Sequence, residues 1–277
     1  MSAVHQFTVE VPWGVSHVRS GTCRSGPPTV LLHQTPRSGD EFREVIALLS
    51  ADHHLLAIDL PGMGHSTGHP DGDTIAAYAA GVLATVNGLG VDRFLVAGHH
   101  TGAAVAAAVA AGAPRRISGV VLSSPPWIDA AAREARLTRA GPGVDEATPS
   151  EDGRHLTELW AGRAAFYPPG RPDLLTRFLA DALLVEDPTA GHRAVTNWDM
   201  EPLLPVLRTL SVLLVDHADD PHAHPNITRW RAALPDAAVR TITDGMVPLE
   251  FTADAFADAL RTVIGRRDPT VGGTAAD

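Results

Sequence analysis

The sequence predicts an α/β fold with a mostly parallel, doubly wound sheet and helices on both faces. Two observations predict it. Short, continuously apolar runs recur along the chain, and helical segments separate many of them. Continuous apolar runs are typical of parallel strands that are buried on both faces, and alternation with helices is typical of crossover connections. With 277 residues, 44% of them hydrophobic, the chain is long enough to bury a full core.

The elements follow from local patterns. Residues 4–11 and 15–20 alternate between apolar and polar side chains and predict two antiparallel strands. The later apolar runs predict buried strands at 29–32, 54–58, 94–97, 119–122, 212–215 and 239–242. Apolar residues at helical spacing or small-residue runs predict helices at 41–49, 74–89, 101–111 and 252–264. Thr74 is the expected cap of the second of these helices.

Almost 90 residues between the fourth and fifth buried strands of this series interrupt the alternation. This stretch predicts several helices, at 130–139, 155–165 and 172–184 and near Trp198. Because a structureless loop of this length is implausible in a compact domain, it predicts an inserted helical cap. The expected division is a core of residues 1–124 and 208–265, a cap of residues 125–207, and a flexible tail of residues 266–277. Such a cap would cover the carboxyl ends of the strands, where open α/β sheets bind ligands.

Composition excludes several classes of function. The net charge of −10 argues against nucleic acid and anionic membranes as partners. Cys23 is the single cysteine, which excludes an internal disulfide and a multi-cysteine metal site. The sequence contains no lysine, so no lysine Schiff base can form. No signal peptide or membrane span is expected, which predicts a cytoplasmic protein. The expected partner is a small-molecule substrate, and neither a cofactor nor a metal is expected.

One five-residue motif carries the most information about function. Gly98-His99-His100-Thr101-Gly102 lies between a predicted buried strand and a predicted helix. This is the strand, sharp turn and helix of a nucleophile elbow, G-x-S-x-G, with His100 at the position of the serine. Histidine tolerates the positive φ of that position better than most side chains do. The partial positive charge of the helix N-terminus disfavours imidazolium, so a neutral ring able to act as a base is expected.

Three blocks together resemble the α/β-hydrolase superfamily. Residues 33–36, His-Gln-Thr-Pro, resemble its H-G-x-P loop, and residues 59–66, Asp-Leu-Pro-Gly-Met-Gly-His-Ser, are similar to its D-x-P-G-x-G-x-S segment. Residues 98–102 take the place of the elbow. The resemblance runs from about residue 15 to residue 264 and is strongest to capped bacterial members such as epoxide hydrolases, dehalogenases and C–C bond hydrolases. It implies the α/β-hydrolase fold.

The resemblance implies only part of the usual Ser-His-Asp triad. The family's acid aligns best with Asp219, with Asp216 and Asp220 as rivals. Met246 occupies the position of the family's histidine, and no histidine occurs beyond His224. With His100 in place of serine, the triad is degenerate.

The expected site therefore centres on His100 as general base, with Asp219 orienting its ring. By the geometry of the family, the backbone N–H groups of Gln34 and Thr101 would form an oxyanion hole. Three further side chains are expected to line the pocket: His33, His65 and Met246. The histidines and aspartates of residues 217–224 do not follow a metal-binding helix pattern and predict a solvated loop.

Two classes of function remain open. The first is an enzyme in which His100 acts as general base, or as nucleophile, on a small organic substrate. Hydrolysis, lyase, decarboxylase and cofactor-free oxygenase chemistry are all compatible with such a base. The alternative is a catalytically silent pseudo-hydrolase that binds a ligand, which an apolar Met246 favours.

Overall fold

An eight-stranded sheet organises the chain in the computed structural model, which describes residues 4–137, 149–243 and 249–265. The strands are β1 (His5–Val11), β2 (Gly14–Ser20), β3 (Thr29–Leu32), β4 (Leu55–Ile58), β5 (Phe94–His99), β6 (Ile117–Ser123), β7 (Val212–His217) and β8 (Ala238–Ile242). Their spatial order is β1-β2-β4-β3-β5-β6-β7-β8. β2 pairs antiparallel with both β1 and β4, and the remaining pairs are parallel. The predicted fold class, a mostly parallel doubly wound sheet, is confirmed.

The described residues form ten α-helices. They are α1 (Arg43–Leu49), α2 (Ile75–Gly88), α3 (Thr101–Gly112), α4 (Ala130–Leu137), α5 (Arg154–Ala164), α6 (Pro172–Ala182), α7 (Ala190–Thr196), α8 (Leu204–Leu207), α9 (Ile227–Ala233) and α10 (Ala253–Ile264). Of these, α2 and α3 pack on one face of the sheet, and α1 and α10 pack on the other. The Thr74 hydroxyl accepts the Ala77 N–H and caps α2. The helix predicted from residue 41 instead begins as a 3-10 turn at Gly39–Phe42, because the Ser38 hydroxyl accepts the Asp40 N–H there. The sequence patterns missed α9, whose seven residues are too few for a clear apolar period.

Alternate residues of the central strands pack into two apolar layers. In β5, Phe94 and Val96 face α2 and α3, whereas Leu95 and Ala97 face α1 and α10. All four side chains are fully buried. Because successive side chains of a strand point to opposite faces, a strand buried on both faces must be continuously apolar, as the sequence indicated.

The helices α4 to α8 lie between β6 and β7, where the cap was predicted. Ion pairs attach α6 to the segment that follows β3. Arg177 Nε lies 2.9 Å from Asp40 Oδ2, and Arg37 Nε lies 2.8 Å from Asp181 Oδ2. The division into core and cap stays a prediction, and the proposed tail at 266–277 lies outside the described residues.

Candidate functional site

The elbow between β5 and α3 has the geometry that the motif predicts. His100 adopts φ 47° and ψ −113°, and its N–H donates to Ser123 O at 3.0 Å. A Cβ built at Gly98 would lie 2.0 Å from Gly102 O, and a Cβ built at Gly102 would lie 1.9 Å from Leu32 O. Both glycines are therefore required by close backbone contacts, and they hold His100 at the carboxyl edge of the sheet.

The His100 ring reaches a buried carboxylate directly. Its Nε2 lies 2.8 Å from Asp220 Oδ2, and the Asp220 side chain is fully buried whereas the His100 side chain is 18% exposed. Of the three candidate acids, the structure thus brings Asp220 to His100, and not Asp219, which lies exposed in the same loop. Asp216 is turned to His224, with Oδ1 2.8 Å from Nδ1.

The loop itself selects Asp220. Asp220 Oδ1 accepts the N–H groups of His222 and Ala223, at 2.9 and 3.1 Å. Burial by itself raises the pKa of this carboxyl, but His100, the His222 N–H and Ser124 together hold the pKa below its ordinary value. The signal in the sequence was Pro221, because aspartate before such a turn typically accepts N–H groups two or three residues later.

A buried hydroxyl joins two further histidines behind His100. Ser123 Oγ lies 3.0 Å from His99 Nδ1 and 3.1 Å from His217 Nε2. The His99 ring packs edge-on against the His100 ring, with centroids 4.6 Å apart. Burial, together with the nearby His100, lowers the pKa of His217 to about 4, so His217 is neutral at pH 7. The sequence pattern assigns His217 to a solvated loop, and this prediction is wrong because His217 is the buried last residue of β7.

The expected donors of Gln34 are already engaged. Its backbone N–H donates to Glu41 Oε2 at 2.9 Å, and its side-chain Nε2 donates to Glu41 Oε1 at 2.6 Å. The expectation that the Gln34 N–H points to the substrate therefore needs correction, because a buried internal carboxylate occupies it. Thr101, in contrast, is the first residue of α3, a position whose N–H has no acceptor within the helix. Ala103 and Ala104 donate to His100 O at 2.9 and 3.3 Å.

The expected pocket residues have different surroundings. The buried His33 ring donates from Nδ1 to Gln34 O at 2.7 Å and accepts the Leu60 N–H at Nε2 at 2.9 Å. Both ring nitrogens of His33 thus form hydrogen bonds with backbone groups, so its burial is accounted for without a bound ligand. The His65 ring packs edge-on against the His17 ring, with centroids 5.2 Å apart. Met246 lies outside the described residues.

Metal binding and membrane crossing find no support in the described parts of the chain. No group of three or more His, Cys, Asp or Glu side chains within residues 4–137, 149–243 and 249–265 is placed to hold a metal ion. None of the helices in these ranges is both long and apolar enough to cross a membrane.

The sequence profile of the α/β hydrolase fold family matches residues 27–245, most of the chain. The chain belongs to this family. Its elbow therefore stands where family members carry their nucleophile, and the 2.8 Å contact joins that position to the loop after β7.

Three comparisons illustrate the relationship. A serine hydrolase-like protein of Danio rerio is 34% identical over 122 residues, which cover 43% of this chain and 37% of that protein. The crystal structure of E-2-(acetamidomethylene)succinate hydrolase is similar over 95% of this chain and all of that one, with a TM-score of 0.75 and 20% identity. The enol-lactonase of Burkholderia xenovorans LB400 is similar over 94% of this chain and all of that one, with a TM-score of 0.73 and 19% identity. The chain spans about a third of the length of the curated relative, and the two structural likenesses concern the fold.

Proposed function

We propose that the chain is an enzyme of the α/β-hydrolase fold in which His100 acts as general base on a small organic substrate. The observation that carries this proposal is the 2.8 Å contact between His100 Nε2 and the fully buried Asp220 Oδ2. In a Ser-His-Asp triad the imidazole lies between the nucleophile and the acid. Here the imidazole is attached at the nucleophile's position and reaches the acid directly.

Asp220 selects the form of the ring that can act as a base. A carboxylate that accepts the Nε2–H leaves the lone pair on Nδ1 and stabilises the imidazolium that forms when Nδ1 takes a proton. The depressed pKa of Asp220 keeps that carboxylate ionised at neutral pH. His217 stays neutral in the same pH range, so it does not compete for the proton.

The proposed reaction begins with proton transfer to His100 Nδ1. In ester hydrolysis, water gives its proton to Nδ1 as its oxygen attacks the carbonyl carbon. The tetrahedral oxyanion then collapses and expels an alkoxide, which takes the proton back from Nδ1–H. The Thr101 N–H at the start of α3 is the donor that would meet the oxyanion, since the N–H groups of Ala103 and Ala104 donate to His100 O. The helices α4 to α8 would form the cap over this edge of the sheet, which encloses the substrate.

The substrate classes to be tested follow from the role of His100 as a base. Proton abstraction from carbon would give an enolate in place of the tetrahedral oxyanion, so lyase-type reactions need the same groups as hydrolysis does. The names of the structural neighbours, an enol-lactonase and an enamide-type succinate hydrolase, favour esters, lactones and activated amides as first substrates. We expect no cofactor.

The test is a substrate panel with matched variants. Activated esters, enol-lactones, epoxides and β-diketones are offered to the wild type, His100→Ala, Asp220→Asn and Asp219→Asn. We expect His100→Ala and Asp220→Asn to lower kcat/KM by about 10²- to 10⁴-fold, whereas Asp219→Asn leaves it unchanged. Turnover that survives His100→Ala, or that falls equally in both aspartate variants, would overturn the proposal.

One observation favours a second candidate, a catalytically silent protein that binds a small ligand. The backbone N–H of Gln34 donates to Glu41, and its side-chain amide donates to the same carboxylate, which removes the backbone oxyanion donor that the family resemblance implies. This candidate predicts no turnover of the panel, together with ligand-dependent stabilisation of the wild type. A fluorophosphonate probe completes the comparison, because labelling would require a reactive serine and would contradict both candidates.

A further inference from the structure

The turn after β3 is held between the elbow helix and the inserted helices. On one side, Gly102 of α3 contacts the carbonyl groups of Leu32 and His33, and a Cβ there would lie 1.9 and 2.7 Å from their oxygens. On the other side, a Cβ at Gly191 of α7 would lie 2.1 Å from Thr35 Oγ1. A change in the shape of this turn would therefore be transmitted to the helix that begins beside His100.

One buried carboxylate holds this turn. Glu41 accepts the backbone N–H of Gln34 with Oε2 and the side-chain amide of Gln34 with Oε1, at 2.9 and 2.6 Å. The Glu41 side chain is fully buried, so water does not replace either bond. Both partners are donors only. An ionised carboxylate accepts both bonds strongly. A protonated one carries an O–H on one oxygen, so that oxygen becomes a weak acceptor and its hydrogen lies close to a donor N–H.

Charged and titratable groups surround Glu41 from several segments, including Tyr167 between α5 and α6, which interacts electrostatically with Glu41, Arg37 and Glu250. Arg37, in the turn itself, lies 2.6 Å from Glu250, in the segment before α10, and both side chains are fully buried. Asp181 of α6 contacts Arg37 Nε from the side of the inserted helices. Burial raises the pKa of Glu41 to about 7, with Glu250 acting in the same direction and Arg37 in the opposite one.

We propose that Glu41 is a positioning residue: its ionised carboxylate holds the Gln34 turn in the shape that faces the elbow, and its protonation releases one of the two bonds. The catalytic part of this statement rests on the proposed function of His100. The coupling between Glu41 and Gln34 does not depend on the function of His100, and it can be measured without a substrate. Burial raises the pKa of Glu41 to about 7, so the proposed change of the turn falls in the neutral range.

The first measurement is amide hydrogen exchange at Gln34 from pH 5.5 to 8.5, corrected for the intrinsic exchange rate. In the wild type, protection of this amide should rise about tenfold with pH, with a midpoint near 7, because a charge-assisted bond forms as Glu41 ionises. Glu41→Gln should show low protection at every pH. Glu44→Gln is the matched control, because Glu44 follows three positions later and pairs with Arg177 instead.

Two results would overturn the coupling. One is protection of the Gln34 amide in the wild type that does not change with pH. The other is the same pH dependence in Glu41→Gln as in the wild type. If Glu41→Gln does not fold, the pH dependence of Gln34 amide protection in the wild type by itself tests the coupling.

The second measurement separates this proposal from the proposed function. With a substrate found in the panel, the pH profile of kcat in the wild type should contain a rise near pH 7 that is absent in Glu41→Gln and present in Glu44→Gln. An unchanged profile in Glu41→Gln would overturn the positioning role and leave His100 as the base. A titrating Gln34 amide in a protein that turns nothing over would overturn the proposed function and leave the Glu41–Gln34 coupling standing.

Discussion

Replacing Gly102 by alanine tests whether the elbow depends on backbone contact. Intrinsic propensity alone favours Gly102→Ala by about 1 kcal/mol, because Gly102 lies inside α3. The contacts in the structure predict the opposite effect, a loss of stability in Gly102→Ala. The new Cβ would lie 1.9 Å from Leu32 O, whereas real Cβ contacts are essentially never under 3.0 Å, so β3 and α3 must separate by about 1 Å.

The expected cost follows from that displacement. Overpacking a well-packed core costs about 1–3 kcal/mol even where side chains can move, and here the obstacle is backbone of a central strand. We expect Gly102→Ala to lower the free energy of unfolding by about 3 kcal/mol or more. The same displacement at the elbow should lower any His100-dependent activity by about 10²-fold, since an error of 1 Å in the position of a catalytic group has that effect.

Gly112→Ala is the matched control on the same helix. A Cβ at Gly112 meets nothing within 4 Å, and this residue lies at the last position of α3. We expect this variant to be neutral or stabilised by up to about 1 kcal/mol. Urea unfolding followed by circular dichroism measures both variants. Equal stability of Gly102→Ala and Gly112→Ala would refute the reasoning from close contact.

Two further predictions concern stability. Burial and His100 lower the pKa of His217 from 6.5 to about 4. As the pH falls, the His217 ring is therefore protonated in the unfolded chain before it is protonated in the folded one. The stabilisation is therefore present above pH 6.5 and lost as the pH falls to 4, by up to about 3 kcal/mol for 2.5 pH units. Urea unfolding between pH 7 and 4.5 should show a shallower loss in His217→Gln, and an equal loss would contradict the assignment. Arg177→Ala removes the ion pair with Asp40 and should increase hydrogen exchange in α6 several-fold, whereas unchanged exchange would show that apolar packing alone holds that helix.

The strands and the elbow could be predicted because their signals are local. Six short runs predicted buried strands, each of which the structure places within two residues at either end. The prediction of burial is wrong for β8, the edge strand of the sheet, whose residues 239–241 are exposed. The spacing of Gly98 and Gly102 around His100 predicted a strained turn, and the turn has the expected positive φ. Burial on two faces requires apolar residues along a strand, and close backbone contact requires glycines at the elbow. Both causes act on residues that are near each other in the chain, so both leave a local pattern in the sequence.

The partners of the candidate base could not be predicted in the same way. Asp216, Asp219 and Asp220 carry the same functional group, and Pro221 marks a turn after Asp220 without showing which element that turn faces. The hydrogen bonds of the folded loop turn Asp220 towards His100. The engagement of Gln34 by Glu41 is likewise invisible in a pattern, because it depends on how the 3-10 turn before α1 folds back on the end of β3.

The sequence by itself determined the fold class, the family and the presence of His100 at the elbow. Periodic burial and glycine spacing encode these features along the chain. The tertiary structure alone decided that His100 meets Asp220, that His99 and His217 share the Ser123 hydroxyl, and that a buried glutamate occupies the donors of Gln34. These contacts join residues from separate strands and loops. A displacement of about 1 Å or a rotation of one side chain makes or breaks them, so only the packed structure selects among the candidates.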